Sequence, residues 1–142
     1  MKFEFPKIIR ELDLGGYDPV FQGRTLQVWV NPPKGLLDAH NANIQELRDV
    51  LRRASEAVLS KDLSDEQRLA QKEQTAAELE RLGKAQIAFY AELWGQGSDP
   101  MTEEDVEELI RVSTDTDPVF FDWLKSETIG MIRAHRDGVK KG

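Results

Sequence analysis

The sequence predicts an α+β fold, mainly α, with a small N-terminal β-hairpin or meander packed on a bundle of about four helices. Three observations carry that expectation. "TLQVWV" at 25–30 alternates as a half-buried strand does. From about residue 34 the apolar residues recur at helical spacing, and helix-start signals stand at 64–67, 102–105 and 117–118. At 142 residues the chain fits one domain and needs no covalent staples. It divides into a β-rich element at 1–31, a helical body at 34–138 and a basic tail at 139–142.

The first element carries "FEF" and "LDL", with turn signals at Gly15-Gly16 and Asp18-Pro19. Pairing of residues 11–14 with 25–30 follows. Leu26, Val28 and Val30 share one face of the second strand, and Thr25, Gln27 and Trp29 the other. Trp29 on the polar face needs a cover, expected to come in part from the protein's own helices, with an edge left for a partner. Pro32 and Pro33 stop the strand, because neither supplies an N–H to a ladder.

Ile44, Leu47, Leu51, Ala54 and Val58 form the stripe of a first helix, widened by Val50 and Ala57, with Asp49 and Arg53 as an i,i+4 pair. "SDEQ" at 64–67 is a capping box that opens a second helix running to about residue 94. Its first three turns are nearly all polar and are expected to project into solvent. Leu79, Leu82, Gln86, Phe89 and Leu93 then make a seam, so the two helices form an antiparallel hairpin. After "GQGSDP", "TEED" opens a short third helix to about residue 113. Asp117 and Pro118 cap a fourth, which carries Phe121, Leu124, Thr128, Met131 and His135 and fades near Gly138.

Charge narrows the partners. The net charge is −7, yet residues 99–122 alone hold nine acids against one base, Arg111. The basic clusters Arg48, Arg52, Arg53 and Arg133, Arg136, Lys140, Lys141 are short and lack interleaved aromatics, so nucleic acid is not expected. No run of apolar residues reaches the length of a membrane span, and the first residues lack a secretory pattern. An intracellular protein without a membrane partner is expected.

Chemistry is sparse. There is no cysteine, and the two histidines, His40 and His135, lie far apart, so no metal or cofactor is expected; both are taken as partly exposed. "DTDPVFFDW" has Phe120 where a calcium loop needs glycine and Ser126 where it needs a bidentate Glu. "GQG" follows a helix, as a C-cap does, whereas a phosphate loop precedes one. No serine elbow occurs, and no set of base, nucleophile and oxyanion donor assembles, so no catalytic residue is assigned.

The aromatics are the more informative set. Phe89, Tyr90 and Trp94 end the second helix, and Phe120, Phe121 and Trp123 open the last. Core packing accounts for most of them. Both clusters nevertheless spread round their helices at 3.6 residues per turn, more than one face is expected to bury. One or two of them, with Trp29, are expected to line a protein-binding surface.

A short β-segment ending in "LQVWVNPP" precedes the helical body, whose tail reads "FYAELWGQGSDPMTEEDVEELIRVSTDTDPVFFDWLKSETIGMIRAHR". In this general texture the chain resembles the tail assembly chaperones of long-tailed, non-contractile, lambda-like bacteriophages and prophages. The resemblance implies a non-enzymatic helper in the host bacterial cytoplasm, absent from the mature virion. Its partner would be the tape measure protein, whose helical segments it keeps soluble until the tail tube polymerises, with the major tail tube protein as a further contact. A homo-oligomer is compatible. Trp29, Phe89, Trp94 and Phe121 would then supply apolar anchors, and Glu103, Glu104 and Glu108 a solubilising acidic rim. Such families often make a longer frameshifted form, and Lys140-Lys141 suits a slippery codon run. Two other classes stay open: a structural adaptor retained in a virion or other complex, and a small enzyme with a carboxylate site.

Overall fold

The computed structural model describes residues 3–141, with side chains through residue 138. The fold is α+β and mainly α, with a two-stranded antiparallel sheet, β1 (Ile9–Asp13) and β2 (Thr25–Trp29), and four helices. These are α1 (Lys34–Leu59), α2 (Asp65–Trp94), α3 (Glu103–Thr116) and α4 (Pro118–Lys141). α4 thus runs past Gly138. The expected basic tail at 139–142 lies outside the residues with described side chains. Contacts divide the chain into two compact units, one of Met1–Pro33 with Tyr90–Gly142 and one of Lys34–Phe89.

In the first unit, Leu12 stands opposite Leu26 and Ile9 opposite Trp29. β1 starts two residues before the expected 11–14 and ends one earlier, at Asp13, whose carboxylate accepts the Gly15 N–H at 2.8 Å and starts a 3₁₀ turn. Asp18 starts a second 3₁₀ turn in the same way, accepting from the Val20 N–H at 2.9 Å. "FEF" forms no strand, and Phe3 and Phe5 stay exposed, their rings edge-to-face at 5.0 Å. Val28 and Val30 are fully buried, as the alternation predicts. Asn31 ties the arm before β1 to the end of β2: its Oδ1 accepts the Ile8 N–H at 2.7 Å, and its Nδ2 donates to the Pro6 carbonyl at 2.9 Å.

On the other face, Gln27 holds the loop after α2. Its Nε2 donates to Ser98 Oγ at 2.9 Å, and its Oε1 accepts the Asp99 N–H at 2.8 Å. The loop comes so close that a Cβ on Gly97 would stand 2.2 Å from Gln27 Oε1. Absence of a side chain there, rather than C-capping alone, is what the second glycine of "GQG" provides.

α3 opens with the expected capping box, Thr102 Oγ1 accepting the Asp105 N–H at 3.2 Å while Asp105 accepts the Thr102 N–H at 2.9 Å. The Thr102 N–H, with the Thr102 hydroxyl beside it, holds the Asp105 carboxyl below its usual range. The α3–α4 corner satisfies every free amide of α4's first turn. Pro118 has none, Val119 donates to the Asp117 carboxylate, and Phe120 donates to the Asp117 carbonyl. Phe121 donates to Ser113 Oγ at 3.1 Å, and that hydroxyl donates in turn to the Asp117 carbonyl at 2.7 Å. Asp117 also accepts from Tyr17 Oη at 2.5 Å.

The second unit is the antiparallel hairpin of α1 with α2 up to Phe89. Leu37, His40 and Val50 are its buried positions on α1 and Leu82 and Phe89 on α2. The α1 stripe therefore centres on Val50, with Ala54 and Ala57 half-buried, and turns Leu51 and Val58 out to 49% and 75% exposure. His40 is buried, not partly exposed as expected, because its ring stacks flat on Phe89 at 3.8 Å. The Arg53 guanidinium pairs with the Glu78 carboxylate across the hairpin at 3.3 Å while its Nε donates to the Asp49 carbonyl, and the Asp49 carboxylate takes Arg52 instead. Arg68 donates to the carbonyls of Ala57 and Ser60 at the end of α1.

Ser113→Ala is expected to lower stability by about 1–3 kcal/mol, because the buried Phe121 N–H loses its acceptor; urea unfolding measures it. Both tyrosines resist ionisation, Tyr17 raised to about 12 chiefly by its hydrogen bond to Asp117 and Tyr90 raised by burial. A raised pKa contributes stability that is intact below pH 10 and is lost as pH rises through the folded value. Absorbance at 295 nm should therefore show no tyrosinate step at pH 10 in the folded chain, and Tyr17→Phe should flatten the fall in stability between pH 10 and 12.

Candidate functional site

The four expected aromatic anchors have different fates. Trp94 has no exposed surface; its indole N–H donates to Thr128 Oγ1 at 3.2 Å, and Tyr90 packs against it at 4.9 Å. Phe121 meets Trp94 edge-on at 6.4 Å and is 7% exposed, while Phe89 is 4% exposed against His40. Phe89, Trp94 and Phe121 are core residues, which corrects their assignment as surface anchors.

The physical reason is that both helices are covered on more than one side. Phe89 belongs to the hairpin, and Tyr90, about 100° round the helix, to the core of the first unit. On α4, Phe121 turns to Trp94 while Phe120 and Trp123 turn to the two 3₁₀ turns, Tyr17 lying 5.1 Å and 5.3 Å from their ring centres. Phe21 stacks on Phe120 at 5.2 Å. A connector rich in turn residues gave no sign in the sequence of being an aromatic lid.

Trp29 is half-buried, and its cover includes the chain's N-terminal arm. Lys7 Nζ lies 5.0 Å above the ring, a cation–π contact, and Phe5 and Pro6 line a hollow beside it with Pro32 and Pro33. The indole N–H is buried without a hydrogen-bond partner, so this residue is held by packing and charge rather than by a polar tie.

Glu103, Glu104 and Glu108 are all exposed on α3. Glu103 and Glu104 stand in the helix's first turn, where negative charge complements its dipole. Glu108 pairs with Arg111, Nε to Oε2 at 3.1 Å, and that bond holds its carboxyl below the usual range. It also borders a mixed cleft of about 800 Å³ with Glu11, Leu26, Leu109 and Val112.

An open, mainly apolar groove lies elsewhere. Between α1 and α2, near the turn that joins them, a groove of about 600 Å³ is lined by Ala54, Ala57, Val58, Leu69, Ala76 and Leu79. Asp65, Arg68 and Lys72 edge it on the α2 side. Val58 and Leu69 are 75% and 58% exposed, and Leu59 beside them 81%. The "EQRLAQKEQTA" segment is thus solvent-exposed as expected, yet its few apolar residues face an open trough. Sequence reasoning placed Leu51 and Val58 in the buried stripe. The signal against it was on α2, which offers no large apolar residue between Leu69 and Leu79 to cover them.

Among the described residues no three His, Asp or Glu side chains converge to hold a metal ion, and no helix is long and apolar enough to cross a membrane. No family model, curated protein or solved structure matches the chain.

Exposed and core apolar residues should separate cleanly in denaturant unfolding. At concentrations that keep the chain monomeric, Val58→Asp and Leu69→Asp are expected to change stability by less than about 0.5 kcal/mol. Leu82→Ala should cost about 2–5 kcal/mol and Trp94→Ala about 3–5 kcal/mol.

Proposed function

We propose that the protein is a non-enzymatic tail assembly chaperone of a long-tailed, non-contractile phage or prophage. It binds helical segments of the tape measure protein and keeps them soluble in the host cytoplasm until the tail tube polymerises.

The observation that supports this best is the open trough of the α1–α2 hairpin. Its lining combines the aliphatic Val58, Leu69 and Leu79 with the small Ala54, Ala57 and Ala76, which leave room for a close backbone approach. Recognition of an amphipathic helix requires such a groove, which accepts side chains at i, i+3, i+4 and i+7. The binding surface is therefore assigned to Val58, Leu69 and Leu79 rather than to the buried aromatics. Glu103 and Glu104, with the rest of the acidic segment, supply charge that opposes aggregation of a chain carrying exposed apolar area.

The test is co-expression with a tape measure protein from the same genome, reading the fraction of that protein in the supernatant. Wild-type chain should move most of it from pellet to supernatant and co-purify with it. Val58→Asp should reduce the soluble fraction by about tenfold, the loss of one good apolar contact and the burial of a charge being worth at least ~1.4 kcal/mol. A tape measure protein equally insoluble with and without the chain, or equally rescued by Val58→Asp, would refute the proposal.

A further inference from the structure

Four of the large hydrophobic side chains exposed among the described residues, Leu51, Val58, Leu59 and Leu69, fall within one stretch of the hairpin. Two antiparallel helices cannot bury such a surface between themselves, since each can turn only one stripe to the other. The usual completion is a bundle of four helices. We propose that the trough seats the same trough of a second copy of this chain, so that two hairpins close into a four-helix bundle about a two-fold axis.

Charge favours a second copy as the occupant. The whole chain carries −7, and two copies should repel through surfaces such as residues 99–122. From residue 48 to 72 the balance is different, with six bases and five acids. The apolar trough thus lies in a stretch where like charge does not oppose association. Its α2 wall carries Asp65, Arg68 and Lys72; Arg68 donates to the Ala57 and Ser60 carbonyls, and Asp65 and Lys72 stand two helical turns apart. A two-fold axis passing between them brings Asp65 of each copy toward Lys72 of the other, as a self-complementary interface requires. The small lining residues Ala54, Ala57 and Ala76 let the helices of two copies approach closely enough for Val58 and Leu69 to enter the facing trough.

This proposal does not rest on the chaperone reading, although both use one surface. A dimer and a bound helix would compete for it, the dimer protecting the trough until a partner arrives.

Sedimentation equilibrium of the full chain tests it. The expected result is a reversible shift from 16.2 kDa toward twice that mass as concentration rises. Val58→Asp or Leu69→Asp should weaken association by about a hundredfold, because an unpaired carboxylate would be buried. Val119→Asp, at a residue 62% exposed outside the trough, should leave it unchanged, and circular dichroism should show all three variants folded. A chain that stays at 16.2 kDa throughout overturns the proposal, as does a dimer insensitive to both trough substitutions. A monomer that still solubilises a tape measure protein through Val58 would assign the trough to that helix alone. Conversely, a Val58-dependent dimer without solubilising activity would refute the chaperone and keep the dimer.

Discussion

Trp94 has no exposed surface, and its indole N–H donates to Thr128, itself fully buried in the middle of α4. This bond fixes the depth and rotation of α4 against the end of α2. Phe121, Leu124 and Ile132 then lie along the buried stripe with Thr128. The same rotation carries Phe120 and Trp123 away from that stripe, where the segment from Tyr17 to Phe21 has to cover them. The direction of α4 is set just upstream, where Ser113 and Asp117 take up the amides that a helix start leaves unpaired.

The sheet is fastened by two side-chain amides, one within β2 and one just past its end. Gln27 grips the loop that follows α2, and Asn31 grips the arm that precedes β1. A hairpin of five-residue strands has little stability alone. Its place in the unit comes from the buried Leu12, Val28 and Val30 and from these two amides.

Helix number and limits were largely legible, because local chemistry sets them. The Ser64–Gln67 and Thr102–Asp105 boxes and the Asp117-Pro118 start all form where the residues place them. Burial was less legible, since it depends on what another part of the chain brings to a face. Val50 and Leu51 are adjacent and equally apolar, and only the position of α2 decides that one is buried and the other exposed. His40 is polar in a list of residues but, stacked on Phe89, behaves as a flat core side chain. The surface expected at the aromatics moved to aliphatics for the same reason: large rings at element junctions attract cover, whereas Val58 and Leu69 near a helix turn have none.

The trough has a consequence for how this chain can change over generations. Val58, Leu59 and Leu69 bury little of their own surface, so replacing one with another apolar residue removes no core contact. Trp94, Thr128 and Leu82, all buried, do not line this trough. If the trough seats a partner as proposed, selection can retune that contact without each trial first having to survive a loss of stability. Drift should accumulate fastest along the exposed first turns of α2, and the buried pairings should change only together.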